Sequence, residues 1–188
     1  MTKDYASLPP TEVRRADRAV TDEEWIRVFL ARAPMGALAT VHDGQPFVNQ
    51  NLFVYHPERH AVYLHTAKVG RTRANVGAGG RACFAVSSMG RLLPADEALE
   101  MSVEYEGVSV FGPIAVVAEP EEARAGLQAL LDKYFPHLAP GRDYRAITDE
   151  ELKRTAVYRL DVESWVGKRK EAPEDFPGAF LYGAPPGG

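Results

Sequence analysis

The stretch LEMSVEYEGVSVFGPIAVVA, residues 99–118, decides the fold class. Met101, Val103 and Tyr105 alternate with Ser102, Glu104 and Glu106, the two-residue period of a half-buried strand. After Gly107 the apolar set moves to Val108 and Val110, a slip of one position that predicts a β-bulge at Glu106-Gly107. Gly112-Pro113 predicts a second break in the ladder. A long strand bent twice suits a small closed barrel better than a flat open sheet.

Upstream, Thr21 and Glu24 form a capping box that opens a helix, and Pro34 ends it. Trp25, Val28, Phe29 and Arg32 fall on one side of that helix. Segments 36–41, 46–55 and 61–66 read as strands joined by the turns His42–Gln45 and His56–Arg59, and their spacing predicts a meander. A short helix from about Gly70 to Val76 stops in the glycine-rich run Asn75–Gly80. A fourth strand spans 81–87, and 88–98 reads as a loop. Downstream, 119–134 is a helix with Pro120 at its first position and an apolar stripe of Ala123, Leu127, Leu130, Leu131 and Tyr134. Thr148 and Glu151 make a second capping box, and 155–162 is a last strand, followed by Trp165. No repeat and no βαβαβ alternation is visible, so the expectation is a mainly β (α+β) barrel with a few short peripheral helices.

The division is an N-terminal arm at 1–20, a barrel domain at 21–170 and a Pro/Gly-rich tail at 171–188. The tail carries Phe176, Phe180, Leu181 and Tyr182, so it is either a solvated tail or an arm laid on the domain or on a partner subunit. The 188 residues carry a net charge of -4, which argues against a general nucleic-acid binder. No apolar run is long enough to span a membrane, and the first residues lack a secretory h-region. The single cysteine, Cys83, excludes an intramolecular disulfide and reads as a buried structural thiol. The expected location is the cytoplasm.

Two stretches carry chemistry. His65 to Asn75 brings hydroxyls and the cations Lys68, Arg71 and Arg73 to a strand end and a helix start. That is either an anion site suited to phosphate or a solvated basic helix face. It contains neither a P-loop nor a Rossmann fingerprint. Asn49-Gln50-Asn51 puts three amides on one strand; buried amides need partners, and a polar ligand edge supplies them. His65 could equally be a strand-end histidine bonded to a neighbour, and Trp165 a plug of the barrel. His42, His56 and His137 have no second ligand at metal spacing, so no metal site is expected.

The runs YLHTAKVGRTRANVGAGG (63–80), CFAVS (83–87), MGRLLPADEALEMSVEYEGVSVFG (89–112) and DEELKRTAVYRLDVESWVGK (149–168) resemble, in this order, the flavin-binding split-barrel superfamily of pyridoxamine 5'-phosphate oxidase. Within it the chain is most similar to the Nim-type nitroimidazole-resistance proteins, over about residues 14–170. The resemblance implies an FMN-binding split β-barrel, an obligate homodimer with the flavin cleft between subunits, and reduction of a small electrophile such as a nitro-aromatic. It implies that His65 lies beside the flavin as the catalytic residue. Thr66, Lys68 and Arg71 would hold the phosphate and ribityl chain, and Asn49, Gln50, Asn51 and Leu52 would run along the ring edge. Trp165 and Lys168 would approach from the other subunit, and Glu104 and Tyr105 are further candidates. Gly70-Arg71-Thr72 stands where true pyridoxamine phosphate oxidases have Ser-Arg-Lys, and their C-terminal arginine signature is missing, so the resemblance does not extend to that reaction. A flavin-binding protein without turnover, or the same cleft holding F420 or haem, are the alternatives.

Overall fold

The computed structural model describes residues 3–184. Its strands are β1 (Ala19–Val20), β2 (Gly36–His42), β3 (Gln45–Asn51), β4 (Val54–His56), β5 (Ala61–Ala67), β6 (Arg81–Leu93), β7 (Ser102–Val116), β8 (Thr155–Asp161), β9 (Ser164–Lys170) and β10 (Phe180–Leu181). Its helices are α1 (Glu23–Arg32), α2 (Arg71–Gly77), α3 (Pro120–Tyr134) and α4 (Asp149–Arg154). The strands run in the order β3-β2-β6-β7-β8-β5-β4, with β9 also on β7, β1 on β9 and β10 on β6. All of these pairings are antiparallel.

β7 is the pivot. One edge pairs with β6 from Ser102 to Pro113. The other edge pairs with β9 over Tyr105–Phe111 and then with β8 over Ile114–Val116. The exchange falls at Gly112, where the chain between β8 and β9 crosses so closely that a side-chain carbon would collide with the carbonyl oxygen of Asp161. The break expected at Gly112-Pro113 is therefore a change of partner within one continuous strand, and it is what splits the sheet around the barrel.

The expected bulge lies elsewhere. β7 is regular through Glu106-Gly107, and the register shifts between Met89 and Leu92 of β6, where three steps oppose two on β7. The apolar positions change parity in β7 because a different face is covered. Val108, Val110 and Ile114 face the core, whereas Val103 and Tyr105 are only half-buried on the other side. β6 also runs on to Leu93 through what reads as a loop, and β9 is a strand the sequence does not signal.

The predicted meander is two hairpins. β3 pairs only with β2, and β4 pairs with β5. The strand expected over 46–55 breaks at Leu52-Phe53 because Tyr134 of α3 takes over the backbone there. The Phe53 N–H donates to the Tyr134 hydroxyl (3.1 Å), and that hydroxyl lies 3.0 Å from the Phe53 carbonyl. α1 begins one residue later than expected: Asp22, not Thr21, caps it, accepting from the N–H groups of Glu24 and Trp25. Its buried face is Ile26, Phe29 and Leu30, leaving Val28 52% exposed, because β4 and β7 meet it from that side.

The main core holds Phe53, Leu64, Phe84, Val110, Tyr158 and Leu160, all fully buried. Each such side chain stabilises the fold by about 1.5–3 kcal/mol. A second cluster of Ala61, Tyr63, Ala123 and Val157 lies where α3 covers β5 and β8. The tail is docked by its backbone as far as β10, while Tyr182 stands 77% exposed. Glu104 accepts from Arg91 and from the Ala172 N–H, Arg91 also donates to the carbonyls of Ala172, Pro173 and Glu174, and β10 pairs with Arg91-Leu92. Positions 185–188 lie outside the described residues.

Candidate functional site

The alternation of β5 sorts the site. Val62 and Leu64 enter the main core, and Ala61 and Tyr63 turn to α3. His65 continues the α3 side and Thr66 the core side. The Thr66 hydroxyl is 2.7 Å from that of Tyr158, a fully buried core residue. His65 instead lines a cleft of about 300 Å³ with Leu52, walled by Leu127, Leu131, Tyr134 and Phe135. Partial burial alone holds its pKa below the ordinary histidine value, and neither a hydrogen bond nor a charge contributes. Burial thus favours its neutral ring, which can donate from one nitrogen and accept at the other.

Beyond β5 the chain turns at Gly70, whose φ of 125° is in the region that favours glycine, and enters α2. The inward side of α2 is Thr72, Asn75 and Val76. Asn49 of β3 donates to the Thr72 hydroxyl (3.1 Å), tying the amide-bearing strand to this helix. Asn75, 2% exposed, donates to Thr40 (3.0 Å) and leaves its Oδ1 without a donor. Gln50 is exposed and Asn51 half-buried on the edge strand. Lys68 and Arg73 line a cleft of about 470 Å³ that reaches Lys153 and has an apolar floor of Val117, Leu152 and Val157. None of the ion pairs among the described residues involves Lys68, Arg71 or Arg73. In a chain of net charge -4, cations outside any ion pair are suited to an anion; the carboxylate on the cleft lining, Asp149, is taken by Arg124 (2.6 Å), and Arg71 lies outside the lining.

Trp165 and Lys168 do not share a surface. Lys168 and Val166 line an open cleft of about 560 Å³ with Ser87 and Tyr105, and the Lys168 ammonium is 5.9 Å from the Tyr105 ring centre. Trp165 is on the opposite face, against Tyr55 (5.5 Å), His60 (4.7 Å) and the Arg27 guanidinium (5.8 Å), packed on the main core. It closes the barrel end beneath α1. Glu104 is committed to the tail, and Arg91 beside it holds its carboxyl down at about 2. Cys83 is partly buried, which pushes its thiol pKa up, as suits a structural residue. Among the described residues no group of three or more His, Cys, Asp or Glu could hold a metal ion, and no helix is long and apolar enough to cross a membrane.

The structure thus joins Asn49 to Thr72, Lys68 to Arg73, and Leu52 to His65. The contribution of α3 is missed by the sequence reading, because the stripe Leu127, Leu131 and Tyr134 has the spacing of any core-facing helix. The unpaired cations and edge amides fit the phosphate and the polar ring edge of a flavin nucleotide.

The sequence profile of the family described as pyridoxamine 5'-phosphate oxidase matches residues 22–169. No curated protein matches the chain. Among solved structures, a flavocytochrome from Azotobacter vinelandii is similar at 22% identity, with a TM-score of 0.74 over 87% of this chain and 74% of that one. An FAD- and haem-binding protein from Mycobacterium smegmatis is 25% identical, with a TM-score of 0.73 over 82% of this chain and 74% of that one. A protein whose description assigns it by name only to 5-nitroimidazole antibiotic resistance, from Bacteroides thetaiotaomicron, is 18% identical, with a TM-score of 0.65 over 81% of this chain and 90% of that one.

Proposed function

The chain belongs to the pyridoxamine 5'-phosphate oxidase family, and on that premise we propose that it binds FMN and uses it to reduce a small electrophile such as a nitro-aromatic compound. The observation that carries this reading is the unpaired trio Lys68, Arg71 and Arg73 beside a strand of amides, joined to it by the Asn49–Thr72 hydrogen bond. Lys68 and Arg71 neutralise the phosphate. Backbone and amides of 49–52 meet the polar ring edge, with Asn49 held in place by Thr72, Gln50 on the other face of β3 offering its backbone, and Leu52 packed beside it. Thr66 is spent on Tyr158 and acts through the backbone at its position.

A bound flavin supplies the electron transfer, and the protein supplies binding, orientation and electrostatics. His65 positions the substrate by hydrogen bonding and relays a proton from solvent.

The working unit is a homodimer with the cleft between subunits. Support comes from the edge strand β3, where Val48 is 51% exposed beside Val41 at 58%, a face that a second copy would cover. Lys168, on the open β9 face, reaches the partner's cofactor. The packing of Trp165 gives it a structural part instead. The single free thiol suits the reducing cytoplasm.

The test is turnover. Purified protein loaded with FMN should lose its visible flavin absorbance under NADH or dithionite in the absence of oxygen, and regain it on adding a nitroimidazole. Flavin bound at one per subunit but inert to both would make the protein a flavin binder or sensor. FAD and haem are assayed alongside because one structural neighbour is described as binding both.

A further inference from the structure

The interior is apolar except in one place. Tyrosines aside, the buried polar side chains among the described residues are Thr40, Thr72 and Asn75, and all three lie where α2 meets the β2–β3 hairpin. Register explains the meeting. Leu38 is opposite Asn49 and Thr40 opposite Phe47, so Thr40 and Asn49 are diagonal neighbours on one face of the hairpin. Thr72 and Asn75 stand three residues apart on the inward side of α2. Asn49 donates to the Thr72 hydroxyl (3.1 Å) and Asn75 to the Thr40 hydroxyl (3.0 Å), so two amide-to-hydroxyl bonds grip the helix on the hairpin.

For stability alone this is a poor way to hold a helix. α2 has seven residues, too few to persist without tertiary contacts, and Gly70 gives it no side-chain cap. Of its buried residues only Val76 is apolar. Burying an amide and a hydroxyl is unfavourable unless both are fully bonded, and the Asn75 Oδ1 has no protein donor. An apolar pair of the same shape would hold α2 at least as well. What the amide–hydroxyl pairs add is geometry, because a hydrogen bond fixes a distance and an angle that apolar contact leaves free. Arg71 and Arg73 flank Thr72 in the chain, so the seating of α2 sets where their guanidinium groups stand relative to β3.

We propose that Thr40 and Asn75 are positioning residues: their buried pair seats α2 so that Arg71 meets a phosphate while β3 meets the rest of the same ligand, and this seating makes the protein select a phosphorylated ligand over its unphosphorylated counterpart. The two residues touch no ligand and act through Arg71. The proposal rests on the flavin reading for the identity of the ligand, and the anion site itself is tested apart from it.

FMN and riboflavin share the ring and the ribityl chain and differ by the phosphate. Their affinities are compared by titration of the cofactor-free protein. Inorganic phosphate is the second probe, read by the rise it causes in unfolding temperature. The double variant Thr40→Val with Asn75→Leu replaces both partners by apolar groups of similar shape. In it FMN should bind at least tenfold more weakly, riboflavin should change less than threefold, and the phosphate-induced rise should disappear. Its unfolding midpoint without ligand should equal or exceed that of wild type, which a merely structural pair would not allow. Thr40→Ser keeps the hydroxyl and should keep the wild-type preference. If the double variant does not fold, Thr40→Val alone serves. An unchanged ratio of the two affinities in a folded variant, an equal loss of both, or a Thr40→Ser protein that behaves like the double variant would overturn the proposal. The flavin reading fails separately. Wild type that takes up no flavin but is stabilised by phosphate, with the stabilisation lost in the variant, keeps the positioning role and removes the flavin. Flavin bound with the same preference in wild type and variant does the reverse, and wild type that responds to neither probe removes both.

Discussion

His60 and His65 stand five residues apart, one just before β5 and one within it, and their surroundings are opposite. His60, just before β5, has its Nδ1 2.8 Å from the Tyr55 hydroxyl and its ring edge-on to Trp165 at 4.7 Å. Arg27 then covers the other part of Trp165. His65, near the far end of the same strand, lines a cleft without any protein partner. Around Trp165 the histidine, the tyrosine and the arginine are engaged with one another, whereas the other end keeps an imidazole and three cations outside any ion pair. The difference teaches where to look for function: not at the histidine or the tryptophan as residue types, but at donors and charges left unspent.

Four comparisons break or sharpen that contrast. Trp165→Ala should cost about 3–5 kcal/mol of stability by emptying the closed end. Flavin bound per folded subunit should stay the same, as read by denaturant unfolding and cofactor extraction. A loss of flavin without a loss of stability would move Trp165 to the site. The double change Lys68→Ala and Arg71→Ala should do the reverse, weakening flavin binding at least tenfold in titration while the unfolding midpoint of the cofactor-free protein stays put.

Lys133 probes the boundary, since it is adjacent in sequence to the cleft residue Tyr134 but is turned towards the core. Its ammonium lies 3.8 Å from the Phe53 ring centre and donates to the Leu30 carbonyl (3.1 Å), and burial pushes its pKa down to about 8. Between that value and the ordinary 10.5 the unfolded chain holds a proton that the folded chain has lost, so stability rises with pH across this window. Wild type should gain about 1–2 kcal/mol relative to Lys133→Met between pH 7 and 10, allowing for solvent screening of a half-buried group. Tyr63, pushed up to about 12, is common to both proteins and cancels. The smallest effect is the most direct comparison: His60→Ala should cost about 1 kcal/mol for its hydrogen bond and ring contact, and His65→Ala close to nothing.

Some local signals in the sequence read correctly, though the capping box at Thr21 and the bulge at Glu106-Gly107 do not. The capping box at Thr148 and Glu151 forms as the pattern requires, and Pro120 opens α3. The Lys68–Arg73 cations are legible because they lie within two turns of chain. What fails is tertiary. Nothing local announces that Tyr134 will take the backbone of Phe53 and divide one strand into β3 and β4. Gly90 reads as a loop because a bulge and a turn use the same residue, and the choice was made by Glu104 across the ladder accepting from the Arg91 N–H. The wall of the His65 cleft comes from a helix about sixty residues downstream, whose stripe carries no mark distinguishing a pocket wall from core.

The most direct test of the account is the absorbance spectrum of the protein as purified, followed by identification of whatever cofactor heat releases. The account predicts a yellow protein with the two-banded visible spectrum of oxidised flavin and FMN released at one per subunit. A colourless protein that takes up neither FMN nor FAD, or one showing only the spectrum of haem, would contradict it.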